Sequence, residues 1–158
     1  MWCFKSWAPP LVLLSILMAA CGGIPGSTPV SYTAFQLTCC TQADIDQLWQ
    51  PGSTVELHWT VETSRVTTTD ATHNALIVVT LSGPFPDVTT LKKSHGATNI
   101  LQGSIIRMDD RTAPDPVPVT TFFLPADLPT GFYKLDFKTD FGGGGSEGGE
   151  SVVRVGTP

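Results

Sequence analysis

The stretch Pro51-Gly52-Ser53-Thr54-Val55-Glu56-Leu57-His58-Trp59-Thr60-Val61-Glu62 decides the fold class. A Pro-Gly turn opens it, and the residues that follow alternate without a break. Val55, Leu57, Trp59 and Val61 share one face, while Thr54, Glu56, His58 and Thr60 share the other. Period two marks a half-buried strand of an antiparallel sheet with one wet face. Burying an indole and three aliphatic side chains stabilises by about 1.5–3 kcal/mol each. This strand is therefore expected at the centre of the core.

Other strands fall on either side of it. Ala75–Leu81 is apolar on both faces, which suits a central strand, and Gly83-Pro84-Phe85-Pro86 ends it. Shorter strands are expected at Tyr32–Thr38, Thr98–Leu101, Ser104–Met108, Val117–Leu124, Phe132–Thr139 and Ser151–Val155. Pro118 places its strand at an edge or restricts pairing near its start. In the Phe132–Thr139 segment, Tyr133, Leu135 and Phe137 are expected inward and Lys134, Asp136 and Lys138 outward. Thr41–Trp49 carries a capping residue, an acid three places on, and Ile45, Leu48 and Trp49 at helical spacing, for one or two turns of helix. Ser64–His73 is a polar loop or an exposed edge. Residues 87–103 are mixed, Asp109–Pro116 is turn-rich, and Gly142–Gly149 is expected as a mobile hairpin loop. The pattern predicts an all-β, antiparallel sandwich of about seven strands.

Composition agrees with that class. Of 158 residues, 15% are charged, with 15 Gly and 13 Pro, as in turn-rich extracytoplasmic modules. The net charge of −5 becomes −6 once the segment holding Lys5 is removed. An acidic domain with scattered basic residues has no electrostatic footprint for nucleic acid.

Residues 1–20 are expected to be a signal segment rather than part of the fold. Lys5 supplies a weak positive start, and Leu11–Met18 is an apolar run too short to span a bilayer. Leu17-Met18-Ala19-Ala20-Cys21 resembles the bacterial lipoprotein signal, although Met18 stands where that pattern prefers leucine. The resemblance implies cleavage before Cys21, which becomes an acylated N-terminus on the extracytoplasmic face of the cell membrane. Two or more acyl chains make such an anchor stable. Residues 21–33 then form a tether, rich in Gly, Pro, Ser and Thr, and 34–156 the domain.

Two segments carry a further resemblance. Pro51–Trp59 is similar to an early strand of immunoglobulin-like domains, and Leu124-Pro125-Ala126-Asp127-Leu128-Pro129-Thr130-Gly131-Phe132-Tyr133 is similar to their Gly-x-Tyr corner. Together they resemble the Ig-like module of fungal Kre9/Knh1 cell-wall proteins and of many bacterial surface lipoproteins. The resemblance implies an Ig-like sandwich in which Tyr133 is buried with its hydroxyl bonded to nearby backbone, and it transfers no site. Pro129-Thr130-Gly131 and Gly142–Gly145 echo two loops of chagasin-type cysteine-protease inhibitors, without the expected Asn and without a third loop.

No catalytic or cofactor motif is present, so a binding or structural role at the cell envelope is expected, with a cell-wall polymer or envelope protein as partner. Candidate contacts are Asp109, Asp110 and Asp115 in the turn-rich connection and Glu147 in the glycine-rich one, because loops on a rigid sandwich carry recognition. Clustered oxygens also make Asp109, Asp110 and Asp115 the best calcium candidate, but without the spacing of a calcium loop. The adjacent Cys39 and Cys40 can close a vicinal disulfide, pair with other chains or remain thiols. The competing class is a metal-binding or enzymatic accessory that uses His58 with Glu56, or Cys39-Cys40.

Overall fold

The computed structural model describes residues 28–68, 74–94, 98–142 and 145–158. Residues 1–20, expected to be a signal segment, and Cys21, His73 and His95 lie outside the described residues. The chain is all-β, with ten strands and two short helices among the described residues. Strand β1 (Val30–Thr38) leads through α1 (Gln42–Asp46) and β2 (Leu48–Trp49) to β3 (Thr54–His58) and β4 (Thr60–Thr68). Then come β5 (Asn74–Phe85), α2 (Val88–Lys93), β6 (Asn99–Gln102), β7 (Ile106–Asp109), β8 (Val119–Phe123), β9 (Gly131–Phe141) and β10 (Gly145–Val155). Among the described residues no helix is long and apolar enough to cross a membrane.

The expected strand over 53–62 is split at Trp59. β3 pairs with β8, whereas β4 pairs with β1, so one run of alternating residues serves two partners. The alternation itself holds, with Val55, Leu57 and Trp59 buried and Glu56 and His58 exposed. The second sheet runs β2-β10-β9-β5-β6, and β7 shares the edge of β5 with β6. Strands divided in this way raise the count above the expected seven. Pairing is also not wholly antiparallel, since β2 lies parallel to the end of β10, Trp49 opposite Val155. Ser64–Thr68 belongs to β4 and is the exposed edge, not the loop. The glycine-rich loop is shorter than expected, because β10 begins at Gly145 and pairs with β9 along its whole length. Four residues assigned to the tether, Val30–Thr33, lie in β1.

The core forms where the inward faces of β3 and β8 meet those of β5, β9 and β10. Leu57, Phe122, Val79, Leu81, Tyr133 and Leu135 are fully buried there. Trp49 packs on Phe122 with ring centroids 5.9 Å apart, and Trp59 meets Phe137 edge-on at 6.0 Å. Tyr133 donates its hydroxyl to the Pro129 carbonyl at 2.6 Å, so the corner before β9 holds a buried phenol as the resemblance implies. Gly83 makes room for it, since a Cβ there would lie 2.7 Å from Tyr133 Cδ1. Tyr133→Phe keeps the ring and orphans one backbone carbonyl. The expected cost is about 1 kcal/mol, measured as a lower urea midpoint at unchanged m-value.

The helix expected over Thr41–Trp49 stops at Asp46, because Leu48 and Trp49 are drawn into the sheet beside β10. Thr41 and Asp44 do not form a capping box. The Thr41 N–H donates to the His58 carbonyl instead, and Asp44 turns toward β3. Helix α2 falls in the segment that carried no clear period. Asp87 caps it by accepting from the Thr90 N–H at 2.8 Å.

Candidate functional sites at the two ends of the sheets

Strand β9 is 11 residues long, about 33 Å, and sets the separation of two grooves. At one end, the turn after β7 meets the turn after β9. Asn74, Leu76, Arg107, Met108, Asp109, Asp140 and Gly142 line a groove of about 650 Å³ there. The two connections that the sequence marked for recognition, 109–116 and the glycine-rich one, therefore share one site through Asp109 and Gly142. Arg107, Asp140 and Asn74 were not foreseen. Asp140 continues the outward face of an alternating strand into its turn, and that was the legible signal.

The other marked residues disperse. Asp109 Oδ1 accepts from the Arg111 and Thr112 N–H groups, and these bonds hold its carboxyl below the usual range. Asp110 is buried and accepts from the Tyr32 hydroxyl at 2.7 Å, while the Arg111 guanidinium lies 4.1 Å from the Tyr32 ring centroid. These residues tie the connection to β1. Asp115 is exposed farther along the turn. Glu147 is in β10, opposite Thr139, and accepts from Gln36 of β1. The calcium candidate is not assembled: among the described residues no group of three or more His, Cys, Asp and Glu is placed to hold a metal ion.

The second groove, about 480 Å³, lies at the far end between α1–β2 and β3. Asp44, Gln47, Trp49, Gln50, Ser53, Thr54, Glu56 and His58 line it. Asp44 is the partner of His58 that sequence reasoning missed, since 14 residues separate the two and no motif links them. The Asp44 carboxylate accepts from Thr41 Oγ1 at 2.6 Å and from the His58 N–H at 2.8 Å, and His58 Nδ1 lies 3.2 Å away. Burial pushes the Asp44 carboxyl up, but the bonds from Thr41 and His58 outweigh it, so the acid ionises more readily than usual.

A carboxylate that orients an imidazole is the supporting half of a nucleophilic triad. The other half is missing among the described residues. Ser53 Oγ donates to the Gln50 carbonyl and Thr41 Oγ1 to Asp44, and neither bonds to His58. The bonds of the pair clasp α1 to β3. Cys39 and Cys40 form a vicinal disulfide beside this clasp, packed against the core.

No protein-family model matches this chain, nor does any curated protein or any solved structure.

Proposed function

We propose that this chain is a lipid-anchored protein of the bacterial cell envelope, whose Ig-like domain binds a cell-wall polymer or an envelope protein without turning over a substrate. The observation that carries the reading is the Leu17–Cys21 lipoprotein signal followed directly by a β domain. Placement of the chain's entry fits such an anchor. Val30 pairs with Thr68 beyond the point where Tyr32 meets Asp110, so β1 enters at the end that holds the first groove. From Cys21 to Val30 a tether reaches at most about 30 Å, which is comparable with the length of the domain.

Three features support the Ig-like reading. The β3–β8 pair corresponds to strands B and E of such a sandwich, and the run β10-β9-β5 to strands G, F and C. Tyr133 stands near the start of the strand that follows the E–F corner and bonds to backbone upstream, as the tyrosine of that corner does. The wider likeness to Kre9/Knh1 modules belongs to the same proposal. The exposed Asp109–Gly142 groove, with Arg107, Asp140 and Asn74 as hydrogen-bonding groups, is its polymer contact.

Mass spectrometry of the membrane fraction of a bacterial host tests the anchor. The expected N-terminal peptide begins at Cys21 with diacylglycerol and a further acyl chain attached. Cys21→Ser is expected to move the protein out of the membrane fraction, and an unmodified Cys21 in the native chain overturns the proposal. A pull-down on purified cell-wall polymer then tests the groove, with Asp140→Ala expected to reduce retention.

A further inference from the structure

The second groove contains an open sheet edge. In an antiparallel pair the N–H and C=O of successive residues point alternately toward and away from the partner. The Ser53 carbonyl accepts from Leu124 while its N–H closes the turn on Gln50, so that carbonyl and the backbone groups of Val55 and Leu57 face β8. His58 points the other way, since its N–H meets Asp44 and its carbonyl meets Thr41. Thr54 and Glu56 share the parity of His58. Their N–H and C=O groups face the groove, and among the described residues no protein group meets them.

The same edge is covered farther along. β1 lies against β4 as far as Thr38 opposite Thr60, and Thr41 adds one more bond at His58. There the chain leaves through α1 and joins the other sheet at β2. The row that β1 begins is therefore vacant beside Thr54 and Glu56. Exposed edges of this kind pair readily with an added strand.

We propose that this vacancy is a strand-addition site for an extended peptide segment of a partner protein, held by the backbone of Thr54 and Glu56. The groove selects this occupant in three ways. α1 and β2 wall it on the side away from β3, so a lone extended segment enters where the edge of a second folded copy would collide. Carboxylates of Asp44 and Glu56 line it, and among the described residues no Lys or Arg does, so a segment with a basic side chain is favoured. The Gln47 and Gln50 amides supply side-chain donors and acceptors beside the added backbone. A saccharide fits less well, because the Trp49 indole is 1% exposed and offers no face for stacking. This site does not depend on the lipid anchor, and it differs from the groove at Asp109.

The test uses the full chain in detergent and a phage-displayed library of random heptapeptides. Selected peptides are expected to be extended and to carry Lys or Arg. Bound peptide is expected to slow hydrogen exchange at the Thr54 and Glu56 amides at least tenfold. N-methylating the peptide nitrogens that face β3 is expected to weaken binding at least tenfold, because main-chain bonds supply the affinity in this mode. Glu56→Pro removes a donor from the open edge without touching the bonds to β8, and it is expected to weaken binding equally. If that variant does not fold, the N-methylated peptides decide. A library that yields no binder, a binder that leaves those two amides exchanging freely, or indifference to N-methylation overturns the proposal. Protection of the same amides by a neutral oligosaccharide instead of a peptide also overturns it.

Discussion

Trp59→Ala is expected to lower the unfolding free energy by about 3–5 kcal/mol, a large fraction of the total for a domain of this size. Trp59 is 3% exposed and stands at the joint where one strand leaves β8 and takes up β1. Its indole N–H donates to Thr120 Oγ1 at 3.0 Å, and Thr120 is itself fully buried. Truncation therefore opens a cavity and also strips a buried hydroxyl of its partner. Trp59→Phe refills most of the volume but not the hydrogen bond, and it is expected to recover part of the loss. Urea unfolding measures both. A native chain in which Trp59 fluoresces as a solvated indole would contradict this placement.

Asp44→Ala is expected to cost about 2–3 kcal/mol, through the bonds it removes at Thr41, at the His58 N–H and at the His58 ring. The effect also has a pH signature. Hydrogen bonds hold the Asp44 carboxyl below its ordinary pKa despite burial, which raises it. A depressed folded-state pKa contributes stability that is fully present above the unfolded value, near about 3.9. That contribution is lost as pH falls from there through the folded value. Asp44→Asn is expected to flatten the acid limb of the stability profile below the unfolded value. Thermal unfolding across a pH series measures it. An acid limb as steep as in the native chain would remove Asp44 from the clasp.

Much of the framework was legible because each feature had a local period or a local turn. Val55, Leu57 and Trp59 point inward as their alternation requires, and Ala75–Leu81 is the central strand that its two apolar faces predict. The corner before Tyr133 was legible through its Pro and Gly spacing. What escaped was every feature that depends on a partner far along the chain. Leu48 and Trp49 have helical spacing, yet burial of the Trp49 indole against Phe122 and pairing with Val155 outweigh that weak preference. Glu147 carries no local mark of its tie to Gln36, and the Asp44–His58 pair none of its own.

The sequence by itself determined that this chain is β, acidic and built on a buried Trp59 strand, since side-chain period and turn chemistry act between near neighbours. It also carried the local Leu17–Cys21 motif on which the proposed lipid anchor rests. The tertiary structure alone decided that the strand changes partner at Trp59, that the Asp109 and Gly142 connections share one end, and that an unpaired edge remains at Thr54 and Glu56. Strand pairing joins residues by where the whole chain brings them, and no window of sequence contains that information.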